Sequence, residues 1–331
     1  MSTRNRFSRS RGPARSQQRG MTVVELLTVI SIIGMLMALL LPAIQMARES
    51  GRRNTCRNNL RQIGIALLGH ESAQRRLPSN GWGYQWYGDP DRGTGLNQPG
   101  GWAYCILPYL ERRDLAKMGS GLSGQARLQA LAAANQSPLP VFHCPSRRRA
   151  DLYPFDLTYP PMNTAPVGSV AKADYAVNGG DLQLSVGGGP SSYTQADDPA
   201  YPWPDSSKAT GVSNFHSVIH LAGITDGMSA TYLVGEKNVS TSGSDPGDDQ
   251  TLFVGYDLDN TRWTTVSWPP VPDRSAPAPE SFGSSHIGVC HFVFCDGRVV
   301  DISYFIDPEI HRRLGNRKDG ELIDDRALHL D

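Results

Sequence analysis

Between Leu26 and Ala47 the chain carries no Asp, Glu, Lys or Arg. At 1.5 Å rise per residue this stretch makes a helix of about 30 Å, enough to cross the hydrocarbon core of a bilayer. One carboxylate, Glu25, stands at its start. A carboxylate is costly in hydrocarbon, so its presence there points to a function. Past Ala47 the pattern turns periodic. Leu60, Ile63, Leu67 and His70 recur every three or four residues, which predicts one face of an amphipathic helix with His70 packed or half-exposed on it. Leu77-Pro78-Ser79 predicts its end. Pro42 lacks an N–H and bends a helix axis, and Gly34 adds a second weak point. The reading is one long bent helix over residues 22–75, with residues 21–44 in lipid and the rest under a globular head.

From residue 76 to 331 the pattern is that of a separate α+β body. Gly, Pro, Asn, Ser and aromatic residues dominate 79–101, 151–210 and 239–285, which predicts long surface loops. Short apolar runs separate them: Trp102–Leu110, Leu139–Phe142, Asp174–Val177, Val218–Ala222, Thr231–Val234 and Leu252–Val254. Residues 122–136 predict one short helix. Near the C-terminus, Val289–Cys295 and Arg298–Ser303 flank Asp296-Gly297, the dipeptide of a two-residue hairpin turn. Val300 and Ile302 share a face opposite Val299 and Asp301, as a half-buried strand requires. The first strand is apolar on both faces and therefore expected inside the sheet. An antiparallel sheet packed on the second half of the N-terminal helix follows.

Charge sharpens the topology. The 331 residues sum to zero net charge, but the first 20 hold six Arg (4, 6, 9, 11, 15 and 19) and no acid. Such a leader argues for a cytoplasmic N-terminus and an exported body, although Arg48, Arg52, Arg53 and Arg57 on the far side weaken the asymmetry. Without the leader the chain is acidic, a poor general nucleic-acid binder, so no nucleic acid is expected as a partner. Arg147-Arg148-Arg149 is too short to reverse this and is expected to be a solvated loop. An ordinary secretory signal, cut near Pro42-Ala43, would be shorter and uncharged.

The run Arg19-Gly20-Met21-Thr22-Val23-Val24-Glu25 resembles the class III signal of type IV prepilins and pseudopilins. The resemblance implies cleavage after Gly20 and N-methylation of Met21 by a prepilin peptidase/methyltransferase. Counted from that cut, Glu25 is the fifth residue and Pro42 the twenty-second, where pilin-like proteins carry their glutamate and kinking proline. Glu25 of one subunit would then neutralise the Met21 amine of a neighbour within the inner-membrane lipid. The body resembles a family, abundant in planctomycete bacteria, of prepilin-like proteins with a domain of unknown function. The matches are Cys56-Arg57-Asn58-Asn59-Leu60-Arg61-Gln62-Ile63-Gly64, Gly101-Trp102 with Leu107-Pro108-Tyr109-Leu110-Glu111, and Phe142-His143-Cys144-Pro145-Ser146. Asp174-Tyr175, Ile224-Thr225-Asp226-Gly227-Met228-Ser229 with Gly235-Glu236, and His286 nine residues ahead of Asp296-Gly297 complete the order. Ala230 and Arg147 depart from the family, which has Asn and often Asp there. The implied protein is a pseudopilin-like, single-pass inner-membrane subunit of a type II secretion or type IV pilus-like assembly. Its body would be periplasmic or in a surface filament. The alternative is a membrane-tethered solute- or glycan-binding envelope protein, since the family's body has also been labelled solute-binding-like.

The chemistry-bearing residues mostly argue against catalysis. Five cysteines (56, 105, 144, 290 and 295) leave at least one unpaired in a monomer. Along one extended strand Cys290 and Cys295 lie roughly 16 Å apart, beyond disulfide reach. The same geometry opposes a zinc site from His286, Cys290, His291 and Cys295, because Cys290 points away and His291 and Cys295 lie about 13 Å apart. Buried free thiols are expected for that strand, and Cys56 with Cys144 is the preferred bridge, tying helix to sheet. His143 beside Cys144 is not expected to act as base to nucleophile, since sequence neighbours seldom have the geometry. His286, Asp296 and Gly297 are expected to position the hairpin, and Glu236 to accept hydrogen bonds at a strand end. No cofactor is expected. For calcium, Asp245, Asp248 and Asp249, or Asp257 with Asp259 and Asn260, offer oxygens but match no defined loop. Trp82, Tyr84, Trp86 and Tyr87 either stack on a glycan or pack against the body.

Overall fold

The computed structural model describes residues 21–155, 159, 161–185, 187–243, 245–321 and 323. The leader, including Gly20, lies outside the described residues. The chain divides after Ser50 into two compact units. Helix α1 runs from Val23 to Gln74, 52 residues, with Pro42 inside it. It begins at a capping box. Thr22 Oγ1 accepts from Glu25 N at 3.2 Å, and Glu25 Oε2 accepts from Thr22 N at 2.8 Å. Helix α1 ends at Gln74, within one residue of the predicted 75 and ahead of Leu77-Pro78. Arg75 turns left-handed (φ 59°), and Leu77 then pairs with Ile219.

The expected amphipathic face is present on the second half of α1. Cys56, Asn59, Leu60, Ile63, Gly64, Ala66, Leu67 and His70 are buried. Gly64 allows the closest approach to the sheet, since a Cβ there would meet Val293 Cγ2 at 2.7 Å. Short helices follow as α2 (Trp102–Cys105), α3 (Arg113–Ala116), α4 (Gly124–Asn135), α5 (Tyr193–Ala196) and α6 (Pro308–Gly315). Of these, α4 is the helix predicted over 122–136.

The strands are β1 (Leu152–Pro154), β2 (Ser169–Ala171), β3 (Tyr175–Asn178), β4 (Tyr232–Glu236), β5 (Thr261–Arg262), β6 (Val289–Phe294) and β7 (Val299–Ser303). β1 and β2 form a ribbon, and the main sheet has the order β5-β3-β4-β6-β7. Its pairs are antiparallel except β3–β5, which is parallel. The sheet is therefore mixed at one edge, where the alternation pattern of a two-residue strand was too short to read. Tyr175, Val177, Leu233, Val234 and Val293 join α1 in one core. Ala176, Tyr232, Phe292, Phe294, Val300 and Ile302 join Leu314 of α6 in another. The body is α+β.

The hairpin forms where predicted, but with a different turn. Gly297 N donates to Phe294 O and Phe294 N to Arg298 O, both at 2.9 Å. Gly297 alone in the turn is left-handed (φ 87°), the three-residue hairpin with a glycine bulge. Cys295 N and Asp296 N donate to Thr231 O and Met228 O at 2.9 and 3.2 Å, which holds both residues out of the two-residue turn.

Candidate functional site

Two places carry functional chemistry, one in each unit. In the first, α1 has a mean hydropathy of 2.5 over its most apolar 18 residues, with none of that window buried. Its hydroxyls are satisfied within the helix: Thr28 Oγ1 donates to Val24 O at 3.1 Å and Ser31 Oγ to Leu27 O at 2.8 Å. Glu25 sits one turn from Met21, with its carboxylate turned back on Thr22 N and Thr22 Oγ1 (2.9 Å). The carboxylate thus faces the helix N-terminus, where a processed Met21 amine would stand. The Thr22-x-x-Glu25 spacing is itself a capping-box pattern, so Glu25 caps the helix as well as offering a counter-ion.

In the second, four buried side chains from distant segments converge. Cys56 comes from α1, Cys144 from the turn after Phe142, Glu236 from the end of β4 and His286 from the approach to β6. The Cys56 thiol donates to Cys144 Sγ at 3.0 Å, and both cysteines are free thiols. The preferred bridge therefore has its partners in place without the bond. Cys144 Sγ lies 3.5 Å from His286 Nε2, which lies 3.4 Å from Glu236 Oε1. Glu236 Oε1 has no partner of hydrogen-bond geometry among the described residues. Its other oxygen accepts from His291 N at 2.9 Å and His291 Nδ1 at 2.8 Å. His291 Nε2 in turn faces Asp301 at 3.4 Å, and Asp301 pairs with Arg57 of α1 at 2.6 Å.

Electrostatics here follow from contact. The hydrogen bond from Cys56, with help from His286 and against burial, holds the Cys144 thiol down at about 6. Burial pulls His286 down, but Cys144 and Glu236 outweigh it and hold it up at about 10. Burial likewise pushes Glu236 up, yet His286 and His291 keep it well below the usual carboxylate range.

A buried ion network fixes Cys144. Its N–H donates to Asp174 Oδ2 at 2.7 Å. Asp174 also pairs with Arg147 (3.2 Å) and Arg148 (2.7 Å), while Arg147 reaches Asp273 (2.8 Å) and Arg148 reaches Asp248 (2.6 Å). Two of the three arginines expected in a solvated loop are therefore interior groups. The carboxylates of Asp174, Asp248 and Asp273 and the carbonyls of Lys237 and Ala173 made burial tolerable, and no local pattern revealed them.

Residues 15–41 match the prokaryotic N-terminal methylation motif, and residues 45–309 match the family described as Protein of unknown function (DUF1559). The chain belongs to the DUF1559 family. It is a pilin-like protein with a membrane-anchoring N-terminal helix, and its methylation motif implies a prepilin peptidase and pilin-like subunits as partners. No curated protein and no solved structure matches it.

Within the DUF1559 body the remaining predicted residues separate. His286 lies in the buried cluster before β6, while Asp296 and Gly297 form the turn beyond it, with Asp296 Oδ1 accepting from Arg298 N at 2.9 Å. His143 turns to Leu139 O (2.9 Å), so Cys144 meets a different histidine from its neighbour. Cys290 and Cys295 are buried free thiols in different cores. Of the calcium candidates, Asp245 accepts from Ser240 N (2.6 Å) and Gly247 N (2.8 Å), and Asp248 pairs with Arg148 and Lys237 (3.0 Å). Asn260 is engaged with Val254 O and Gly255 O, both at 2.8 Å. Asp249, Asp257 and Asp259 instead come together across the two predicted runs, with oxygens within 4.8 Å. Trp82, Trp86 and Tyr87 are buried, the indoles donating to Leu96 O and Pro190 O at 2.8 Å. Those rings pack against the body.

Proposed function

We propose that the chain is a non-enzymatic, pseudopilin-like subunit of a type II secretion or type IV pilus-like assembly. In this reading it is cut after Gly20, methylated on Met21 and held in the inner membrane by residues 21–44, with its head outside. The observation that carries it is the match of residues 15–41 to the methylation motif around a single carboxylate at the head of an uncharged span. Glu25 of one subunit then meets the Met21 amine of the next, and this neutralisation staggers the helices. The non-enzymatic reading is supported by the burial of Cys144, His286 and Glu236, which form a nucleophile-like constellation that substrate does not reach.

A cavity of about 990 Å³ lined by Arg147, Arg148, Lys172, Asp248 and Asp273 is where a solute-binding alternative would act. Its cations already face Asp174, Asp248 and Asp273, so the lining offers an anionic solute little charge. N-terminal sequencing and mass measurement of membrane-extracted protein test the reading. The expected N-terminus is N-methyl-Met21; recovery with the arginine leader attached would refute it.

A further inference from the structure

The cluster of Cys56, Cys144, Glu236 and His286 has more ligating power than a pair of thiols requires. Its four donor atoms lie within 4.8 Å of one another, and all four residues are buried. Zinc bonds of about 2.3 Å to sulfur and about 2.0–2.1 Å to nitrogen and oxygen set the edges of a tetrahedron. Those edges are about 3.6 Å for sulfur–nitrogen and about 3.3 Å for nitrogen–oxygen. The observed separations are 3.5 Å from Cys144 Sγ to His286 Nε2 and 3.4 Å from His286 Nε2 to Glu236 Oε1. The sulfur–sulfur edge of about 3.8 Å exceeds the observed 3.0 Å. Small side-chain rotations of the two cysteines open it.

A disulfide would account for the sulfurs and leave the rest without a reason. Glu236 Oε1 is completely buried, aimed at the sulfurs and the imidazole, and without a hydrogen bond among the described residues. The His286 imidazole 3.4 Å away is the group that faces it among the described residues, at a distance too long for a good hydrogen bond, and a cation shared with the sulfurs would meet it more closely. The surroundings also follow the pattern of an outer shell. Glu236 Oε2 is oriented by His291, and the backbone of Cys144 by Asp174.

We propose that Cys56, Cys144, Glu236 and His286 bind one divalent, thiophilic cation, zinc by ligand type, as a closed structural centre. Four protein ligands leave no open position for substrate, so the centre clamps α1 to the approach of β6 and the end of β4. Binding releases to solvent the proton on His286 Nε2 and whatever protons the two sulfurs carry, and forms two metal–thiolate bonds and one bond each to the imidazole nitrogen and the carboxylate, with no change of oxidation state.

Full-length protein, extracted from membranes in detergent without chelator or reductant, is assayed for zinc and for thiols after denaturation. The expected result, as isolated or after adding one equivalent of zinc, is one bound zinc and five titratable thiols per chain. Cobalt in place of zinc is expected to give a thiolate-to-cobalt charge-transfer band. That band is lost in Cys144→Ser and in His286→Ala and kept in Cys290→Ser. A strong chelator is expected to lower Tm by about 5–10 °C. Three thiols without zinc would overturn the proposal in favour of a Cys56–Cys144 disulfide. Five thiols without zinc uptake would overturn it as well, as would zinc retained by a soluble Cys144→Ser protein. Because the thiol and metal counts are read on the unaltered chain, failure of a variant to fold does not decide the matter.

Discussion

Glu25 closes a capping box with Thr22 and also presents a carboxylate to the N-terminal end of the anchor helix. Substitution separates the two roles. Glu25→Gln keeps a side chain able to cap and removes the charge, whereas Glu25→Ala removes both and costs about 1 kcal/mol of helix stability. If charge drives assembly, cysteine cross-linking between neighbouring α1 helices falls to background in both variants. Wild-type cross-linking in Glu25→Gln would leave only the capping role. At the other end of the chain, His311 is buried among Tyr232, Phe282 and Phe292, and burial pulls it down to about 3. Burial likewise lowers His70 to about 4, against the pull of the Arg76 carbonyl. A lowered folded value means that the unfolded chain takes up the proton first. The stability held by neutral His311 is therefore complete above about pH 6.5 and is lost as pH falls toward its folded value, at about 1.4 kcal/mol per pH unit. Thermal melts are expected to show a midpoint that drops below pH 6.5, with a shallower slope in His311→Phe.

Elements bring together carboxylates that the sequence keeps apart. The loop before β5 places Asp257 and Asp259 beside Asp249. Desolvation of its inward side and the neighbouring Asp259 push Asp249 up to about 7, although the residue as a whole is exposed, and Asp257 and Asp259 are raised as well. A raised acid keeps its proton in the folded state, so its contribution to stability shrinks as pH climbs from about 4 to about 7. Asp249→Asn is expected to raise Tm more at pH 8 than at pH 5. The three carboxylates each turn one oxygen inward, three ligands against the six to eight that calcium takes, so millimolar calcium is expected to leave Tm unmoved. A rise of several degrees, absent in Asp249→Asn, would identify a cation site instead. The hairpin shows how far local signals reach. Asp296-Gly297 marked its position and Val300/Ile302 its buried face, yet bonds to Thr231 and Met228 chose the turn.

Across the whole molecule, stability rests on interior charge as well as apolar packing. Arg148 joins Asp174 to Asp248 beneath the cluster that holds Cys144. Arg148→Ala would take one cation from each of two carboxylates, Asp174 keeping Arg147 and Asp248 keeping Lys237, at a cost of about 1.5–3 kcal/mol for the lost charged hydrogen bonds. Chemical denaturation is expected to show that loss, with Arg149→Ala within about 0.5 kcal/mol of wild type. The anchor span, the helical face from Leu60 to His70 and the C-terminal hairpin were determined by the sequence itself, because each depends on the local period of apolar residues along one segment. The parallel edge strand β5, the interior placement of Arg147 and Arg148 and the meeting of Cys56, Cys144, Glu236 and His286 were decided by tertiary structure alone. Each of these depends on groups far apart in the chain, whose desolvation is tolerable only once the partner arrives, and no periodicity encodes that arrival.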